Sequence, residues 1–484
     1  MLPQIIFIVF LVYSSFLFLI SYFTARKSTN KGYFIGNRQS PWPVVAYGMV
    51  GASLSGVTFI SVPGWVGASH FTYMMVVFGY IVGYIIITKF LLPLYYRLNL
   101  ISIYSYLEQR FGYFSYKTGA FYFLLSRTIG ASFRMFLVIN VLQIFIFNHW
   151  GVPFWLTVIL FILLITLYTF KGGIKTIVWT DLLQTTFMLA SLIVTIYIIL
   201  DHLDVSFSDL FIRAKEAGYT EMINTDWRND RFYLKQFFSG MFITIVMTGL
   251  DQDMMQKNLS CRTVKDAQKN MMTLGLLLVP VNLLFLFLGA SLYIYATDFG
   301  ISLPNLSDDL FPMLAINYFG PAVAIIFFIG LIAAAYSSAD GAITALTTSF
   351  TIDILGVNSD KNRSENELKK VRYKTHFFIS SLIIIVIVLF REINDQAVIA
   401  RLFTIAGYTY GPLLGLFAFG IFTKKALNDR WVPLVAILAP IISYLLSFFS
   451  EYLFNGYQFG FEILIVNGLL TFAGLFIIQK NKND

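Results

Sequence analysis

The chain has 484 residues, of which 57% are apolar and only 12% charged, with 50 Phe, 28 Tyr and a mean hydropathy of +0.73. An average soluble domain carries about 25% charged residues, so this composition excludes a soluble globular enzyme, a disordered chain and a disulfide scaffold. It leaves a polytopic helical membrane protein, because the apolar residues run in long solid blocks rather than in the alternating segments of a β-barrel. The single Cys261 has no partner for an internal disulfide, and His70, His149, His202 and His376 lack metal-ligand spacing.

A spanning helix takes about 20 mostly apolar residues. Candidate spans run near 4–24, 42–68, 71–96, 117–148, 152–170, 176–200, 235–256, 271–297, 320–351, 374–390, 398–423, 431–450 and 461–479. The first is termed the leading helix, the next ten core helices one to ten, and the last two trailing helices. No positive side chain precedes the leading helix, while Arg26 and Lys27 follow it. That order speaks against a cleavable signal and places the N-terminus outside.

Alternate loops repeat the pattern. Arg38, Arg97, Arg110, Lys117, Lys171, Lys175, Lys257, Arg262, Lys361, Arg363, Arg372, Lys424, Arg430, Lys480 and Lys482 all fall on the side of Arg26. The net charge of +8 is therefore a topology signal with the C-terminus inside, and needs no nucleic acid to explain it. The loops are short. Segment 202–233 predicts a small external helix, and 298–319 an external loop with a surface or re-entrant helix. No nucleotide-binding loop or catalytic motif appears, and no loop is long enough to fold alone, so the chain reads as one membrane domain over 1–484.

Charge inside hydrocarbon is costly and marks function. Of the charged side chains within spans four stand out: Arg127 and Arg134 in core helix three, Asp181 in five and Asp340 in eight. Core helix one is interrupted by Gly48, Gly51, Gly56, Pro63, Gly64 and Gly67, with Ser53, Ser55, Thr58 and Ser61 between them. Such a pattern predicts a broken helix whose freed carbonyls and amides bind an ion and a solute. In core helix eight, Ala334, Ser337, Ser338, Gly341, Thr344 and Thr348 form one small hydroxyl-bearing face beside Asp340. Hydroxyls, carbonyls and a carboxylate suit a hard monovalent cation such as sodium. Taken alone, Asp251 and Asp253 read as ordinary solvated charges at a helix end.

Five strings in order, SGVTFISVPGW (55–65), GGIKTIVWTDLLQ (172–184), GLDQDMMQKNLS (249–260), AAAYSSADGAITALTTSFTIDI (333–354) and TYGPLLGLFAFGIF (409–422), resemble the sodium/solute symporter family of sodium–glucose, proline and sialic-acid symporters. The resemblance implies an all-α, LeuT-like fold of thirteen spans. Core helices one to five (42–200) and six to ten (235–423) would be inverted repeats, with 4–24 leading and 431–479 trailing. It implies a first sodium site at Gly51, Leu54, Ala334, Ser337 and Ser338. A second site would use Asp181 with Ser337, Ser338 and Asp340, although Asp340 and Gly341 stand where some members have hydroxyls. Solute positions would be Ser55, Thr58, Tyr73, Arg134 and Thr404, with Tyr408 and Tyr410 as gates. Val77 stands where sialic-acid members carry a glutamine.

The expected function is sodium-coupled import of a small polar solute by a single chain in the lipid bilayer, an organic anion such as a sugar acid being favoured by Arg134. A neutral sugar or an amino acid is the alternative solute, and a channel or a transporter-like sensor the alternative class.

Overall fold

The computed structural model describes residues 2–25, 29–357, 364–392 and 398–480; Arg26, Lys27, Lys361, Arg363 and Lys482 lie outside them. Within the described residues the protein is helical throughout. Eight helical stretches are long and apolar enough to cross a membrane, nine if the bent pair Val398–Thr409 and Gly411–Phe422 is one span. Phe154–Thr169 and Ile463–Ile477 are shorter apolar helices.

One of the eight, Trp42–Arg97, is 56 residues long, far more than about 30 Å of hydrocarbon needs. It turns back on itself at His70, where φ is +51°. Core helix seven (Val264–Asp298) serves as a ruler for both arms. Near its start, Asn270 contacts Met49 and Gln268 donates to the Thr88 carbonyl. Near its end, Tyr293 donates to the Gly64 carbonyl. The chain therefore rises through core helix one (Trp42–Ser69) and descends through core helix two, which starts at Tyr73–Ile86.

Core helix one packs against core helix five (Ile174–Leu203), core helix seven and core helix eight (Pro321–Ser349). Its glycines permit this approach: a Cβ on Gly48 would lie 2.8 Å from Asp181 Cβ, and one on Gly51 would collide with Thr185. Thr185 completes the seam, accepting from the Gly51 amide at 3.1 Å and donating to the Gly48 carbonyl at 3.2 Å. Core helix three (Tyr113–Phe145) lies against core helices eight, nine (Glu365–Arg391) and ten, the last formed by Val398–Thr409 and Gly411–Phe422. The leading helix (Leu2–Ala25) rests on five and eight, where Ser14 and Tyr336 hydroxyls meet at 3.1 Å. The lipid-sized apolar exposure of Phe16, Phe23, Tyr197, Leu389 and Phe448 fits an outer surface facing hydrocarbon.

The described basic loops gather at one end. Arg110 donates to the Gly420, Thr423 and Lys425 carbonyls, Lys117 to those of Asp353 and Ile354, and Arg372 to Asn30. The opposite end holds the segment 202–233, which does form a short helix at Phe207–Glu216, and the 298–319 loop with its helix Leu310–Asn317.

Candidate functional site

Core helix one breaks at Ser55, whose φ of +58° and ψ of 176° fall in a region that glycine normally occupies. The sequence placed the break among the glycines and prolines; it falls on a serine next to Gly56. Nearby, a Cβ on Gly56 would sit 4.0 Å from the Ala335 amide nitrogen. The break thus abuts the turn of core helix eight that carries Ala334, Ser337 and Ser338. Ser338 Oγ donates weakly to the Ala334 carbonyl at 3.3 Å, while the buried Ser337 Oγ has no hydrogen-bond partner among the described residues. Gly51, Leu54, Ala334, Ser337 and Ser338 are all buried.

A cavity of about 80 Å3 opens beside the break. Core helix one lines it with Ser53, Ser55 and Thr58, core helix two with Tyr73, Tyr80 and Tyr84, and core helix three with Arg127 and Arg134. Core helix six, which starts at Tyr233–Thr244 and turns into a wide five-residue coil at Ile245–Gly249, adds Thr244 and Thr248. Core helix seven adds Asn282, and core helix ten closes the wall with Ile399, Leu402 and Phe403. Of the expected solute residues, Ser55, Thr58, Tyr73 and Arg134 line the cavity. Thr404 does not. It is exposed on the outer face of its helix and donates to the Ala400 carbonyl at 2.9 Å. The inward face is set by 399, 402, 403 and 406, so position 404 is rotated about 100° from Phe403. Val77 is fully buried off the cavity, and the tyrosine three residues on takes that wall.

The two arginines differ in kind. Arg127 is ion-paired: its guanidinium holds Asp253, and its Nη1 lies 3.9 Å from Asp251 Oδ2. Asp251 and Asp253 are both fully buried, so they are not solvated end charges. Asp251 caps the short helix Gln252–Leu259 that follows the break after Gly249, and Asp253 sits in the first turn of that helix. Arg134 has no carboxylate within ion-pair distance among the described residues, and its Nε has no hydrogen-bond partner although the side chain is only 8% exposed. A guanidinium left unpaired in a cavity is a ready receptor for an anion, which its fork can hold through two oxygens.

Tyr410 stands below the cavity, buried, with its hydroxyl donating to Asp251 Oδ2 at 2.7 Å. Tyr408 instead faces the trailing helices, its ring 5.9 Å from Tyr444, and does not line the cavity. The basic end is closed by crossing hydrogen bonds. Tyr95 and Tyr104 donate to the Gly249 and Leu250 carbonyls, and Gln252 bonds both the Ile101 carbonyl and the Ile103 amide. Asp181 and Asp340 face each other across core helices five and eight. Asp181 Oδ2 lies 2.8 Å from Lys257 Nζ, and Asp340 accepts from Tyr168 at 2.8 Å and from the Gly341 amide at 2.6 Å.

Sequence reasoning missed Tyr80, Tyr84, Thr244, Thr248 and Asn282. Tyr80 and Tyr84 were findable, since they recur at seven and eleven residues from Tyr73 on one helical face.

A broken helix beside a hydroxyl-bearing partner, with a polar cavity at mid-span, defines a secondary transporter of the ion-coupled class. The chain belongs to the sodium:solute symporter family, whose model matches residues 33–430, and is a sodium-coupled symporter. It is 24% identical to the sodium/sialic acid symporter SiaT of Proteus mirabilis over 95% of this chain and 92% of that one. It is 25% identical to the sodium/sialic acid symporter NanT of Aliivibrio fischeri over 96% and 91%. Among solved structures it shares its fold with a substrate-bound, outward-open Na+-coupled sialic acid symporter, with a TM-score of 0.84, 21% identity and coverage of 98% and 99%. The nucleobase-cation-symport-1 family transporter Mhp1 in a closed conformation is a more distant likeness, with a TM-score of 0.58, 16% identity and coverage of 92% and 94%.

Proposed function

We propose that this symporter imports a small organic anion, of the sugar-acid type, together with sodium by alternating access. The observation that carries the proposal is Arg134, a buried guanidinium without a protein counter-charge on the cavity wall. The solute carboxylate binds there, and Ser55, Thr58 and Tyr73 meet its remaining polar groups. Two relatives that match most of the chain are named for sialic acid, a sugar acid. A neutral sugar would leave the guanidinium buried and unpaired, which is costly.

Sodium binds at the carbonyls of Gly51, Leu54 and Ala334 and the hydroxyls of Ser337 and Ser338. It holds the break of core helix one against core helix eight. The free Ser337 hydroxyl and the non-helical Ser55 support this assignment. The Tyr410–Asp251–Arg127 cluster and the tyrosine bonds to Gly249 and Leu250 form the inner gate.

The chain crosses the membrane thirteen times, with the N-terminus outside and the basic end in the cytoplasm of a bacterial cell, and acts as a single chain. The meeting of the described basic loops at one end supports the orientation. Core helices one to five and six to ten are inverted repeats. The break at Ser55 has its counterpart in the wide coil at Ile245–Gly249 in the first helix of the second repeat.

The test is uptake of labelled sialic acid by the purified protein in proteoliposomes. Charge-assisted hydrogen bonds contribute about 1.5–3 kcal/mol, so Arg134→Ala should raise the half-saturating concentration about 10–150-fold. Arg134→Lys should also weaken uptake although the charge is kept. Wild-type behaviour of Arg134→Ala, or transport confined to neutral sugars, contradicts the proposal.

A further inference from the structure

We infer that the ammonium group of Lys257 permanently fills the place a second sodium would take, so that the transporter binds one sodium ion and not two. This rests on the first sodium site proposed above. Three observations on the same buried cluster converge on it.

The first is the position of Lys257. It lies on the short helix Gln252–Leu259 after the break in core helix six, and is 1% exposed. Its Nζ is 2.8 Å from Asp181 Oδ2 and 3.8 Å from Asp253 Oδ1. A single positive charge thus already sits between two buried carboxylates, on the carboxylate a second sodium would need. Two cations of like charge at one carboxylate repel strongly in a medium of low dielectric constant.

The second is the state of Asp340, the other carboxylate of the candidate second site. Its oxygens are taken up by donors: Tyr168 Oη at 2.8 Å, the Gly341 amide at 2.6 Å, and longer contacts from Thr180 and Gln184 at 3.4 and 3.5 Å. A carboxylate whose oxygens are already engaged by donors has little left to offer a metal ion.

The third is Gly341. A Cβ at this position would collide with the Asp253 carboxylate. Any hydroxyl-bearing residue there would push Asp253 away from core helix eight. The absence of a side chain is what lets Asp253 come in and share Lys257 with Asp181, while its other oxygen holds Arg127. The hydroxyl that would complete a cation shell is thereby exchanged for a carboxylate that completes an ammonium site. Among the described residues Asp181 Oδ1, Gln184 Oε1 and Asp253 Oδ1 have no hydrogen-bond partner, and the ammonium of Lys257 is the cation within ion-pair distance of both carboxylates.

The experiment is saturation binding of radioactive sodium to the purified, detergent-solubilised full chain, with sodium alone as the probe. Wild type should bind one ion per chain with a Hill coefficient near one. Lys257→Met removes the charge and keeps most of the volume, and should admit a second ion, with the count rising toward two. Lys257→Arg should stay at one. Two ions bound by wild type overturn the inference while leaving the first site intact. A Lys257→Met protein that still binds one ion overturns it as well. If that variant does not fold, the wild-type count decides alone. No sodium binding by wild type, or a count unaffected by Ser337→Ala and Ser338→Ala, overturns the first site and this inference with it.

Discussion

Replacing Arg127 with Met tests how the inner gate is held. The guanidinium lies between Asp251 and Asp253, and all three are nearly or fully excluded from solvent. Removing the cation leaves two carboxylates buried, with only Tyr410 and backbone amides on Asp251 and Lys257 at 3.8 Å from Asp253. Breaking a buried pair from one side costs about 3–5 kcal/mol. At about 2 cal/mol/K per residue, a chain of 484 residues has an unfolding entropy of about 1 kcal/mol/K. The expected fall in Tm is therefore about 3–5 °C in detergent, read by tryptophan fluorescence. Adding Asp253→Asn removes one of the orphaned charges and should recover part of the loss, so the two substitutions couple in a double-mutant cycle. An Arg127→Met protein with wild-type Tm, or strict additivity of the two changes, refutes the ion-paired gate.

Three further outcomes follow from the structure. Ser337→Ala and Ser338→Ala should each raise the sodium concentration needed for half-maximal uptake about tenfold or more, and unchanged sodium dependence in both would remove them from the site. Asp308, on the 298–319 loop beside Ser61, accepts from the Val398 amide at 2.9 Å. Burial pushes its carboxyl up from 3.8 to about 6. A raised carboxyl stabilises the fold below about pH 4 and loses that contribution as pH rises through about 6, so wild type should lose stability over that interval and Asp308→Asn should not; identical pH profiles would disprove it. Asn282→Leu, which removes a buried carbonyl oxygen lacking a partner on the cavity wall, should weaken solute binding while leaving sodium binding alone. Equal uptake by both proteins would show that Asn282 touches no solute.

Much of this architecture was legible in the sequence because hydrocarbon enforces simple rules. Long apolar runs and the side on which Arg110, Lys117 and Arg372 fall gave the helices and the end where the described basic loops meet. The break in core helix one was foreshadowed by its glycines and hydroxyls, but no local pattern singles out Ser55, a non-glycine residue with φ of +58°, as the place where it falls. The burial of Asp251 and Asp253 was not readable, because the cation that pairs them lies more than 120 residues earlier, on core helix three. Lys257 likewise counts as one more basic residue near a loop until folding brings Asp181 against it. Thr404 went wrong for a different reason: it is polar and near the right depth, but helical rotation turns it to the outer face and presents Phe403 instead.

Sodium-driven accumulation in proteoliposomes tests the central claim most directly. Purified protein would be given labelled sialic acid under a tenfold inward sodium gradient, with membrane potential clamped at zero. A tenfold gradient is worth about 1.4 kcal/mol per ion. One coupled sodium therefore predicts internal solute about tenfold above external, collapsing when sodium is equalised or replaced by potassium. Solute that only equilibrates, or that enters equally well without sodium, would contradict the account.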